Sequence, residues 1–204
     1  MPLARRLREP SGMRRFVVVA ALPALAGAVF LGVALASRQG PAQASTAVPA
    51  HLSGELAHGP PWPRNVGSLR QRLNQLHLPA LAAEGTVLHI HQHLDVFANG
   101  KRVTVPAGIG IDAADTFILP LHTHDTSGVV HVESPTLRPF TLGEFFGVWG
   151  VPLQRASQVY VDGQRVTGNP AGVRLTPHEE IVVLFGSRRP RGPIPASYAF
   201  PPGL

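Results

Sequence analysis

The stretch HLDVFANGKRVTVP, residues 93–106, is two alternating apolar and polar runs joined at Asn99-Gly100. Asn-Gly between such runs is the strongest short signal for a two-residue type I′ hairpin, because both central positions need positive φ. Pairing across it sets Ala98 opposite Lys101, Val96 opposite Val103 and Leu94 opposite Val105. Successive strand residues point to opposite faces. Leu88, Ile90, Leu94, Val96, Val103 and Val105 therefore share an apolar face. His89, His91, His93, Asp95, Arg102 and Thr104 share the other.

LHTHDTSGVVHVE, residues 121–133, reads as a second hairpin. With the turn at Thr126-Ser127, Asp125 meets Gly128, His124 meets Val129 and His122 meets His131. Leu121, Thr123, Val130 and Val132 then occupy one face, and His122, His124, His131 and Glu133 the other. Six of the ten histidines lie between His89 and His131. Two independent pairings put all six away from the apolar face.

The flanking elements follow from the same signals. Ser68 and Gln71 have capping-box spacing, and Leu69, Leu73 and Leu76 repeat at helical period up to Pro79. His77, at the end of that helix, is suited to its dipole rather than to a ligand role. FTLGEFFGVWG, residues 140–150, carries a capping box in Thr141 and Glu144 and an aromatic surface for the core. QVYVDGQRV turns at Asp162-Gly163, and EEIVVLFG reads as a buried strand. Hairpin, hairpin, helix, strand pair and strand predict an α+β fold. Its small, mostly antiparallel sheet carries one or two short helices in a β-grasp-like arrangement, with a β-sandwich as the alternative.

Around this domain, residues 66–186, the chain changes character. Residues 1–15 are basic, and residues 16–36 run 21 positions without a charge. That length suits a membrane-spanning helix, and the preceding arginines set the N-terminus inside the cell. A signal peptide cleaved after Ala34-Leu35-Ala36 is the alternative, with the domain secreted. Residues 37–65 are rich in Pro, Ala, Gly and Ser and read as a tether, with His51 and His58 as bystanders. Residues 187–204 form a Pro-rich tail, either loose or laid along the sheet through Tyr198 and Phe200.

The charge of +6 comes from the ends, where residues 1–38 hold six arginines and the tail three. The middle has nine basic and eleven acidic residues, so nucleic-acid binding is not indicated. Cysteine is absent, and both methionines, Met1 and Met13, precede the domain. Any metal site in the domain must therefore use nitrogen and oxygen donors.

Imidazoles with nearby carboxylates suit a divalent transition metal, copper or zinc. The ligand set expected from spacing is His91, His93, His122 and His124, with His131 and His89 next. Asp95, Asp125 and Glu133 are ligands or acceptors that orient the imidazoles. A joint site requires the two hairpins to be neighbours in one sheet. Two other readings use the same residues. One is a face that binds a protein partner at the membrane or senses pH. The other is a zinc hydrolase or hydratase with Glu133 or Asp95 as base, although no catalytic signature accompanies it.

The runs EGTVLHIHQHLDVFANGKRVTVPAGIGID, LHTHDTSGVVHVESP and FTLGEFFGVWGV resemble a family of membrane-anchored or secreted prokaryotic proteins with no established activity. The likeness covers about residues 68–186 and the closing SYAFPPGL. The resemblance implies location outside the cytoplasm and supplies neither a catalytic residue nor a metal.

Overall fold

The computed structural model describes residues 47–114 and 116–204. The basic N-terminus, residues 16–36 and the first part of the expected tether lie outside the described residues. Among the described residues no helix is long and apolar enough to cross a membrane.

Two helices and seven strands form the domain: α1 (Leu69–Gln75), β1 (Leu88–Ala98), β2 (Lys101–Val103), β3 (Leu121–His122), β4 (Val129–Ser134), α2 (Leu142–Trp149), β5 (Ala156–Val161), β6 (Gln164–Arg165) and β7 (Glu180–Phe185). They build one open sheet in the order β3-β4-β1-β7-β5-β6, with β2 beside β1. This is the expected α+β fold, and the single sheet leaves no place for the sandwich alternative. β1 organises it. β4 pairs with its first half, β2 with its last three residues, and β7 runs parallel to it from His93 to Ala98. The remaining strand pairs are antiparallel.

Asn99 and Gly100 both take positive φ, 48° and 81°, and the register is Val96 to Val103 as the alternation predicts. Asp162 and Gly163 make the same turn between β5 and β6. Leu94, Val96, Val130, Val132, Ile181 and Val183 line the core face against Phe145, Phe146 and Trp149 of α2. Each such buried side chain contributes about 1.5–3 kcal/mol relative to exposure. The α2 capping box forms as read: the Glu144 N–H donates to Thr141 Oγ1 at 3.2 Å, and the Thr141 N–H to Glu144 Oε2 at 2.8 Å.

The other capping box does not form. Ser68 is left-handed (φ 56°) and its side chain makes no cap bond. The start of α1 is held instead by Arg72, whose wholly buried guanidinium donates to the carbonyls of Ser53, Asn65, Gly67 and Val148. Burial pushes this guanidinium down to about 10, with the Glu55 charge opposing the shift. Residues 47–65 are likewise not a free tether. Leu52 and Trp62 are buried in the core, and the Trp62 ring lies 4.8 Å from Phe185 and 6.0 Å from Trp149. Their low-complexity surroundings hide two large anchors.

The tail lies along the sheet on the face opposite α2. Ile194 packs against Tyr160, Val182 and Leu184, and the Tyr198 ring stacks flat on His93 at 3.8 Å. The histidine face is thus roofed over part of its area.

Trp62→Ala is expected to lower the unfolding free energy by about 3–5 kcal/mol. Val66→Ala, at a half-exposed position nearby, is expected to change it by about 0.5 kcal/mol or less. Urea melts of both variants check this, and equal midpoints would show that residues 47–65 hang free.

Candidate metal centre

β4 sits between β3 and β1, and its register with both is decisive. His131 pairs with His122 on one side and His91 on the other, so three imidazoles form a row across three strands. One pleat along, His89 opposes Glu133. The His131 ring lies 4.6 Å from His91, 5.2 Å from His122 and 4.6 Å from His124. The two hairpins are therefore neighbours, the condition a joint site requires.

The ring nitrogens point at one another. His89 Nε2 is 3.2 Å from His91 Nε2, and His122 Nε2 is 3.1 Å from His124 Nε2. Two nitrogens bound at 2.0–2.1 Å to one tetrahedral ion stand about 3.3 Å apart, so both pairs already have the separation of co-ligands. Glu133, 3% exposed, lies among them. Its Oε1 is 3.2 Å from His89 Nε2, 3.9 Å from His91 Nε2 and 3.0 Å from His131 Nδ1. Its Oε2 is 3.9 Å from His122 Nε2 and, although buried, has no hydrogen-bond partner among the described residues. A buried carboxylate oxygen without a donor is costly, and a cation would satisfy it.

Two rings have their tautomer set. His122 Nδ1–H donates to the Leu119 carbonyl at 2.9 Å, and His131 Nδ1–H donates to Glu133. Each leaves the Nε2 lone pair free, as a metal ligand needs. Burial pushes His122 down to about 4, against the opposing charge of Glu133. Burial, with the neighbouring His131 and His89, does the same to His91, also to about 4. Both rings are thus neutral well below pH 7. Burial works to raise the Glu133 carboxyl, but the hydrogen bond from His131 and the nearby His122 and His89 outweigh it and hold it below the usual range.

Of the residues expected from spacing, the structure brings together His89, His91, His122, His124, His131 and Glu133, which could hold a metal ion. His93, Asp95 and Asp125 stand apart. Both His93 nitrogens are engaged, Nδ1 with Glu180 Oε2 at 2.6 Å and Nε2 with the Ser127 carbonyl at 3.0 Å. Asp95 is paired with Arg102 across the hairpin, at 2.8 Å from Nη2. His93, Asp95 and Glu180 make a separate buried group that could itself hold a metal ion. Asp125 Oδ1 accepts from the Ser127 N–H and closes the β3–β4 turn. Sharing a strand face with the cluster did not bring His93 into it, because the β4 partner of His93 is Val129 and its β7 partner is Glu180.

Two carboxylates escaped the sequence reading. Glu84 Oε1 reaches His124 Nε2 at 3.2 Å from the segment before β1. Glu180 begins β7 and is buried against His93. The acidic residue at the head of an otherwise apolar strand was the one available sign of it. His77 and His58 are exposed, His51 pairs weakly with Glu55, and His178 contacts the tail through Phe200. A cavity of about 470 Å³ beside α2, lined by Val48, Leu52, Phe146, Val151 and Leu153 among others, includes none of the histidines. No family model, curated protein or solved structure matches the chain, so the site is read from its own residues.

The neutral rings give a pH dependence of definite sign. In the unfolded chain His91 and His122 take up protons near 6.5, and in the folded chain only near 4. Between those values the unfolded state binds more protons, so the metal-free domain loses stability as pH falls through that window. Denaturant melts of chelator-treated protein at pH 7.5 and pH 5 should show the loss, and His122→Asn should shrink the difference. A pH-independent parent, or an unchanged difference in the variant, would contradict the neutral burial of this ring.

Proposed function

We propose that this chain is an extracytoplasmic metal-binding protein whose histidine face takes up Cu(II) or Zn(II) for handling or delivery at the membrane. One observation carries the reading: four imidazoles from three strands, and a fifth, His124, from the segment between β3 and β4, gather around a buried glutamate that has an unpartnered oxygen. Imidazole and carboxylate donors suit these two ions, and the affinity order places Cu(II) above Zn(II). A pH sensor is the weaker reading, because His91 and His122 are pushed to about 4, far below the range in which a sensor works.

The location is supported by the sequence: 21 uncharged residues, 16–36, follow a run of arginines. With that anchor inserted the domain stands outside the cytoplasm, where the imidazole face meets incoming ions without needing a reducing environment. The alternative, cleavage after Ala36, leaves the chemistry of the face the same.

The test is metal content. The full chain, purified without chelator or affinity tag and then offered Cu(II) or Zn(II), is expected to retain at least one equivalent by elemental mass spectrometry after dialysis. His122→Ala with His131→Ala is expected to abolish retention, and His58→Ala with His77→Ala to leave it unchanged. Equal retention by both double variants would reduce the binding to scattered surface histidines, and no retention by the parent with either ion would end the reading.

A further inference from the structure

The cluster has more donors than one ion can use. Five imidazoles and a carboxylate make six, whereas a tetrahedral site takes four. They also divide. His122, His124, His131 and Glu133 offer ligand atoms within 4.8 Å of one another, and so do His89, His91 and Glu133. Glu133 is common to both groups, and its two oxygens face different ways. Oε1 is the atom near His89 and His91 and also accepts from His131 Nδ1–H, while Oε2 is near His122 and accepts from no donor among the described residues.

We propose that the histidine face is a two-ion centre in which Glu133 bridges a four-ligand site and a three-ligand site. This rests on the metal-binding reading above. The four-ligand site uses Nε2 of His122 and His124, a nitrogen of His131 and Glu133 Oε2. Its His122 and Glu133 are almost wholly buried, at 1% and 3% exposure, and the set leaves no tetrahedral position open. The three-ligand site uses Nε2 of His89 and His91 with Glu133 Oε1. Its outer ligand, His89, is 53% exposed, so the remaining position is filled by water. Three protein ligands with an open place are the arrangement of sites that exchange or react, and four are that of sites that hold. Ions bridged in this way stand about 3.5–4 Å apart.

The unpartnered Oε2 is what separates this arrangement from a single site. One ion held by His89, His91 and Oε1 would leave Oε2 buried without a partner, and one held at Oε2 would leave the His89–His91 pair facing a charged oxygen with no cation between them. Two ions use every donor. The filling order follows from ligand count: the four-ligand site first, the exposed one second. The second ion is the exchangeable one, which gives a delivery protein a route of release that does not require emptying its buried site.

Titration of the chelator-stripped full chain with Cu(II), followed by electron paramagnetic resonance and by equilibrium dialysis, tests the proposal. The first equivalent is expected to give a magnetically isolated Cu(II) signal. The second is expected to diminish that signal and bring in a half-field transition, the signature of two coupled ions. His89→Ala, at an exposed position that the fold tolerates, is expected to keep the first equivalent and lose the second. Glu133→Gln is expected to remove the coupling. A parent that binds one equivalent overturns the two-ion centre and leaves the metal-binding reading intact. Two equivalents with no coupling overturn the bridge. No binding at all overturns both.

Discussion

The register of β4 is the constraint on which the site depends. Directly opposed residues in an antiparallel pair have Cβ atoms about 4.5–5.5 Å apart, and β4 applies that spacing twice, to β1 and to β3. The result is the row His91, His131, His122. A slip of one residue would turn His131 into the core and bring Val130 or Val132 to the histidine face. The apolar residues that forbid the slip are those packed under α2. Core and site are thus two faces of one decision, and the hydrophobic energy that fixes one fixes the other.

The arrangement works against stability where the site lies. Neutral imidazoles, a buried carboxylate and an oxygen without a donor are poor material for a protein interior. The sheet tolerates them because its other face carries Phe145, Phe146 and Trp149 and because Trp62 extends that core from outside the domain expected by sequence. A local rule broken at one spot inside an otherwise consistent fold is how functional sites present themselves. Here the broken rule is polar satisfaction, and among the buried groups left wanting, Glu133 Oε2 lies within the imidazole cluster, where a cation would satisfy it.

The pattern of the two hairpins was readable because it is local. Asn99-Gly100 sets the first register, and the spacing around Thr126-Ser127 sets His122 opposite His131. Alternation then assigns each side chain to a face. The adjacency of β1 and β4 was not readable, since the segments are over 30 residues apart and an apolar face can meet several partners equally well. That is why His93 was grouped with the cluster: its face was right, but its neighbours were Val129 and Glu180. Glu84 was missed for the same reason, as a residue ahead of a strand whose reach toward His124 exists only in the fold. Trp62 and Leu52 were missed because composition averages over a segment, and two anchors in a Pro-rich stretch do not change the average.

His93 also shows how a histidine on the same face is kept out of the cluster. It is as buried as His91 and lies two residues away on the same face. Both its nitrogens face oxygens, Nδ1 the Glu180 carboxyl and Nε2 the Ser127 carbonyl to which it donates, and Tyr198 closes the flat side of the ring. The pairs His89 with His91 and His122 with His124 differ in one respect. Within each pair the two Nε2 atoms face each other, at 3.2 and 3.1 Å, with Glu133 and Glu84 oxygens 3.2 Å from His89 and His124. A single proton can link two such nitrogens, but it uses one lone pair and consumes the other nitrogen as donor. A cation between them uses both lone pairs at nearly the same separation. The difference lies neither in burial nor in residue type, but in what the ring nitrogens face: an oxygen on each side at His93, another imidazole nitrogen within each pair of the cluster.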